Sequence, residues 1–96
     1  MGVAVGKLVP KHFNETVDTS RKQILRDVET YLLLVKNTSG NTLYISFDGT
    51  NYYSISAGSK ETFRAFANKP IKLDRFYVKG GATGTSFEIV YLVEEE

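Results

Sequence analysis

Residues 37–58, NTSGNTLYISFDGTNYYSISAG, decide how the rest of the chain is read. Leu43, Ile45 and Phe47 alternate with Tyr44 and Ser46. A period of two is what a half-buried strand needs, because successive side chains leave opposite faces of the pleat. Asp48-Gly49 then supplies turn residues, the glycine accepting a positive φ without a Cβ penalty. The chain returns through Tyr53, Ser54 and Ile55, and Ser39-Gly40-Asn41 and Ala57-Gly58-Ser59 punctuate the two ends. The stretch reads as a β-hairpin. Its tyrosines at 44, 52 and 53 raise the question of whether it is also a binding site.

The same period recurs on both sides. ETFRAFA, residues 61–67, sets Phe63, Ala65 and Ala67 against Thr62, Arg64 and Phe66, and TSFEIVYLV, residues 85–93, lines up Phe87, Ile89, Tyr91 and Val93. Asn68-Lys69-Pro70 and Gly80-Gly81-Ala82 add turn signals, giving a spacing of about 8–12 residues, the rhythm of a sandwich or barrel. The expected fold is all-β: a compact antiparallel β-sandwich or jelly-roll-like barrel of about 6–8 strands. SRKQILRDV, residues 20–28, admits two readings. Ser20 and Gln23 form a capping box for a short helix with Ile24, Leu25 and Val28 on one face. Alternatively RKQIL is a strand that turns through residues 26–29 into TYLLLVKN. A two-turn helix is marginal by itself, so the strand is favoured. Residues 1–20, with Gly2, Gly6 and Pro10 spread through them, sustain neither period. They are expected to be an extended N-terminal arm, with residues 21–96 as the β-sandwich domain and a short strand at 3–9 as the variant reading.

Composition narrows the function. The 96 residues suit one small domain, which buries roughly 60–65% of the surface its unfolded chain exposes. There is no cysteine, so neither disulfides nor zinc–thiolate sites contribute. Twelve basic residues against eleven acidic leave a net charge of +1, which favours neither nucleic acid nor a polybasic membrane contact. MGVAVGKLVPKHFNE lacks the apolar core of a signal peptide, and the longest apolar run elsewhere is five residues. The chain is expected to be soluble and made in a cytoplasm. The sequons at Asn14 and Asn37 stand without a secretion signal.

Two strands break the half-buried rule. YLLLV, residues 31–35, and IVYLV, residues 89–93, are apolar on both faces. If Leu33, Val35, Ile89 and Tyr91 point into the core, then Leu32, Leu34, Val90 and Leu92 point out of it. A strand apolar on both sides needs cover on both sides. Leaving four aliphatic side chains uncovered forgoes roughly 1.5–3 kcal/mol each. The cover is a docked arm, another subunit, or the second face of a sandwich's central strand.

Reactive constellations are scarce. His12 is the only histidine, and no nucleophile is placed beside it. Spacings of a metal site are absent, and KGGATGTS, residues 79–86, lacks the lysine of a P-loop and reads as a hairpin loop. Asp48 and Asp74 are isolated carboxylates rather than a facing pair, and residues 94–96 form a short acidic tail. No catalytic, cofactor-binding or metal site is expected. The alternative reading is a carbohydrate-binding β-sandwich with Tyr44, Tyr52 and Tyr53 as a platform. With Lys60, Arg64 and Lys72 the same rings would stack single-stranded bases. Against both, tyrosine is a favoured strand residue whose cross-strand pairs stabilise sheets.

A larger pattern runs from Ser20 to about Val93. SRKQIL is followed by YLLLVKNTSGNTLYISFDG, then YSISAGSKETF, Ile71-Lys72-Leu73 and FEIVYLVEEE. This order resembles the small all-β accessory proteins of tailed-bacteriophage virions. It departs from them in reading RDVET at the first turn and in ending on three glutamates. The resemblance implies a non-enzymatic virion component that decorates or cements a capsid or sits at the head. Its partners would be copies of itself and other virion proteins such as the major capsid protein, without nucleic acid, membrane or cofactor. The expected contact surface is Leu32, Leu34, Val90 and Leu92, with Val3, Val5, Leu8 and Phe13 of the arm.

Overall fold

The computed structural model describes residues 7–66 and 69–95. Ten strands follow in chain order: β1 (Lys7–Val17), β2 (Lys22–Gln23), β3 (Val28–Thr30), β4 (Leu32–Asn37), β5 (Leu43–Ser46), β6 (Tyr53–Ile55), β7 (Lys60–Arg64), β8 (Ile71–Leu73), β9 (Tyr77–Gly80) and β10 (Thr85–Glu95). No helix occurs among the described residues. The strands exceed the expected six to eight because β2, β3, β6 and β8 have only two or three residues. Elements so short complete no alternating pattern.

Every strand is paired antiparallel, and the pairing is nested. β1 pairs with β10, β2 with β9, β3 with β8, β4 with β7 and β5 with β6. The chain is therefore one long hairpin whose tip lies between β5 and β6, where Asp48-Gly49 sits. Two lateral pairings, β10 with β4 and β9 with β5, roll this ribbon up. The results are a front sheet of order β1-β10-β4-β7, a back sheet of order β2-β9-β5-β6, and the two-stranded β3-β8.

The inward residues of the two large sheets make the core. Leu33, Val35, Phe87 and Ile89 come from the front sheet, and Leu43, Ile45, Ile55 and Val78 from the back; all are buried. Val17, Ile24, Leu73 and Phe76 complete the same cluster. Asn37 is buried at the end of β4, where the chain leaves the front sheet for the back. Its Nδ2 donates to the carbonyls of Asn41 (2.6 Å) and Ile55 (2.9 Å), and its Oδ1 accepts from the Ser39 N–H and hydroxyl. A buried amide is inexpensive only when so satisfied. It leaves this sequon asparagine no exposed nitrogen for a glycan.

Residues 21–29 follow the strand reading. β2 ends at Gln23, and Leu25 and Asp27 both have a φ of 55°, a left-handed conformation that no α-helix contains. The segment read as an arm is extended, but over Lys7–Val17 it pairs with β10 along its whole length as the edge strand of the front sheet. Its inward positions are Val9, Lys11, Phe13, Glu15 and Val17, so charges interrupt the apolar parity and hide the strand period. Glu15 is not idle there, since it forms an ion pair with Lys22 of β2 and links the two sheets along that edge. Pro10 is tolerated because β1 is an edge.

The hairpin tip is fastened as well. Arg21 lies over the Tyr77 ring at 4.5 Å and donates to the Gly49 carbonyl at 2.7 Å. Gly49 has φ 81°, and a Cβ there would stand 2.9 Å from the Tyr77 ring. The turn needs this glycine for its backbone conformation and for close approach.

Candidate functional site

Register brings the four double-sided-strand residues together. Leu32 lies opposite Leu92 and Leu34 opposite Val90, so their outward side chains form one apolar quadrilateral on the front sheet. β1 adds Pro10 beside Leu92 and His12 beside Val90; β7 adds Arg64 beside Leu32 and Thr62 beside Leu34. The four side chains are half-buried, and among the described residues no further layer lies over that face. Leu8 extends the patch on β1 and is 49% exposed. Lys36, flanked by Glu88 and Lys60, borders it at one end, and Glu94 at the other. Val3 and Val5 lie outside the described residues. Phe13 has the opposite parity to Leu8: it faces inward, its ring 6.2 Å from that of Phe87, and it packs on the core.

A second apolar surface lies where β6 and β7 edge their sheets. The Phe63 ring stands 5.1 Å from Phe47 and 5.9 Å from Tyr53, and Phe47 reaches in to Phe76 at 5.2 Å. Edge-to-face rings at these separations are mutually favourable. Phe47 is 37% exposed, Tyr53 46% and Phe66, just past β7, 86%. A hydrogen bond to Glu61 raises the Tyr53 phenol above its ordinary pKa.

The three tyrosines do not form one platform. Tyr44 faces outward on the back sheet, opposite Ser54 on one side and Lys79 on the other. Tyr52 joins it: the Lys79 ammonium stands 4.2 Å over the Tyr52 ring and 5.8 Å from that of Tyr44. Tyr53, the next residue, leaves the strand on the other side and packs against Phe63. An open cleft of about 620 Å³ lies over the pair, lined by Thr19, Tyr44, Tyr52, Ser54, Lys79, Gly80 and Gly81. Lys60 and Arg64 are on the front sheet instead. Lys79 was not legible as a partner because cross-strand neighbours depend on register, which sequence period alone leaves open.

The remaining candidates are structural. Asp48 caps the hairpin turn: its carboxylate accepts from the Asn51 N–H, the Asn51 side-chain amide, the Thr50 N–H and the Ser46 hydroxyl. These bonds, the Asn51 N–H foremost, hold its pKa far below the usual carboxylate range. A depressed value means that the stabilisation is complete above the unfolded-state pKa of about 3.9 and is lost as pH falls toward the folded value. Asp48→Asn is therefore expected to lower the urea midpoint at neutral pH, with the gap to wild type narrowing below about pH 4. A gap that is the same at neutral and strongly acid pH would contradict this. His12 is exposed on the outer front face. Among the described residues, no group of three or more His, Asp or Glu side chains is arranged to hold a metal.

No family model matches the chain, and no curated protein matches it in sequence. Among solved structures it is similar to a Bacillus protein, reported in work on endospore appendages that form a family of disulfide-linked pili. The TM-score is 0.59 at 13% identity, with 100% of this chain and 97% of that chain covered. At that identity the likeness is one of fold, extending from end to end of both chains.

Proposed function

We propose that the chain is a non-enzymatic structural subunit that assembles with copies of itself, using the outer face of the front sheet as its main contact. The observation that carries this is the quadrilateral of Leu32, Leu34, Val90 and Leu92, aligned by register on a face that none of the described residues covers. A soluble domain seldom leaves contiguous aliphatic surface on a flat sheet unless something docks there. The aromatic surface at the β6–β7 edge is a second, non-equivalent patch. Two different patches suit head-to-tail contacts, which build rings or filaments rather than closed dimers.

Two kinds of particle fit such a subunit. The nested hairpin, rolled into two four-stranded sheets, follows jelly-roll connectivity, and its full-length likeness to an appendage protein favours a fibre of repeated subunits. The neighbour's disulfide linkage does not transfer, because this chain has no cysteine. A bacteriophage head component, decorating or cementing the capsid beside the major capsid protein, is the second reading. The strand-and-turn order from Ser20 to Val93 favours it. Light scattering of the purified chain over a concentration series, with electron microscopy of the largest species, tests the proposal. Rings, fibres or discrete oligomers are expected. A monomer at all concentrations that also fails to bind purified capsids would overturn it.

A further inference from the structure

We infer that the Tyr44–Tyr52–Lys79 cleft on the back sheet is a binding site for an acidic sugar, a uronate-type residue whose carboxylate meets Lys79 while its ring lies along the tyrosines. This is independent of the assembly surface, which is on the other sheet.

Three features point to this ligand class. Among the described residues no carboxylate pairs with the Lys79 ammonium; its neighbours are the faces of Tyr52 at 4.2 Å and Tyr44 at 5.8 Å. Aromatic faces attract and position a cation without neutralising it, so its charge stays open to an anion that enters the cleft. Hydroxyl-bearing side chains, Thr19, Ser54 and the two phenols, line the same cleft and offer partners to a polyhydroxylated ring. Finally, its volume of about 620 Å³ falls within the roughly 300–1,000 Å³ typical of small-molecule sites.

The geometry also disfavours the other anions. Phosphate sites commonly use several backbone N–H groups converging in a nest. The two glycine N–H groups in the lining are already spent, Gly80 on the Asp18 carbonyl at 2.7 Å and Gly81 on the Thr42 carbonyl at 2.8 Å. A single-stranded nucleic acid needs a track of cations, and among the described residues Lys79 is the one charged residue in the lining. A carboxylate requires only one cation and gains the rest from ring contact.

The test is an amide chemical-shift titration of the full chain with a uronate oligosaccharide, its neutral hexose counterpart and a thymidine oligonucleotide. The uronate is expected to shift the amides of Thr19, Tyr44, Tyr52, Ser54 and Lys79–Gly81, with a dissociation constant near about 1 mM. The neutral sugar should bind at least about tenfold more weakly, the loss of one ion-paired contact. Lys79→Met, which keeps the stem on the sheet, should give the same loss, and Tyr52→Leu a smaller one, both with otherwise unchanged spectra. The inference is overturned by an absence of shifts at about 10 mM uronate, by equal binding of the neutral sugar, or by tighter, steeply salt-dependent binding of the oligonucleotide.

Discussion

Phe76→Ala is expected to lower the unfolding free energy by about 3–5 kcal/mol. Phe76 is fully buried, touches the Phe47 ring, and belongs to the cluster shared by both large sheets. Its removal leaves a void that neither sheet can close, because each is held in register by its own ladder. The backbone around it is also engaged, since the Phe76 carbonyl accepts from the Ile24 N–H at 2.9 Å and ties β2 to the segment before β9. A domain of this size has about 5–15 kcal/mol in total, so the loss is a large fraction of the whole. The check is a shift of the urea midpoint at unchanged m-value, with Phe76→Leu costing clearly less. Equal midpoints for wild type and the alanine variant would mean that Phe76 is not part of the core.

That residue also marks where sequence reasoning reached its limit. Leu33, Val35, Leu43, Ile45, Phe87 and Ile89 were legible as core because they stand at alternate positions in strands of four or more residues. Phe76 and Ile24 face the same interior from irregular backbone, where no period announces them. β1 was obscured for a different reason: Lys11 and Glu15 occupy inward positions at the edge of the sandwich, where their charged ends still reach water. The outward set was legible from parity alone, but its assembly into one patch depended on register. Parity also separates Tyr53 from Tyr52, since neighbours in extended chain leave opposite faces. The pairing of Lys79 with Tyr44 is a long-range fact that period two leaves undetermined.

Leu34→Lys should leave the isolated subunit folded and weaken its self-association at least about 100-fold. The side chain points away from the core and is only half-buried, and the lysine stem can still lie along its apolar neighbours, so the change to monomer stability should stay within about 1 kcal/mol. At a subunit contact the same ammonium sits at the centre of the patch, between Leu32, Val90 and Thr62. The carboxylates nearest this face are at its border, in the Glu88 and Glu94 rows. Removing an unpaired charge from water costs several kcal/mol, and each 1.4 kcal/mol is a factor of about ten in association. The wild-type gain is smaller than this cost. Four half-exposed aliphatic side chains that become fully buried contribute roughly 1 kcal/mol each, against an association cost of at least about 4 kcal/mol. One such contact is therefore weak, and stable assembly follows from repeating it through the second, aromatic patch. Tyr53→Ser, on the aromatic side of the head-to-tail contact, should consequently weaken assembly as well, though by less than Leu34→Lys because it buries no charge. Sedimentation of the two variants beside wild type separates these outcomes, and assembly of Leu34→Lys at wild-type concentrations would remove the front sheet as the contact.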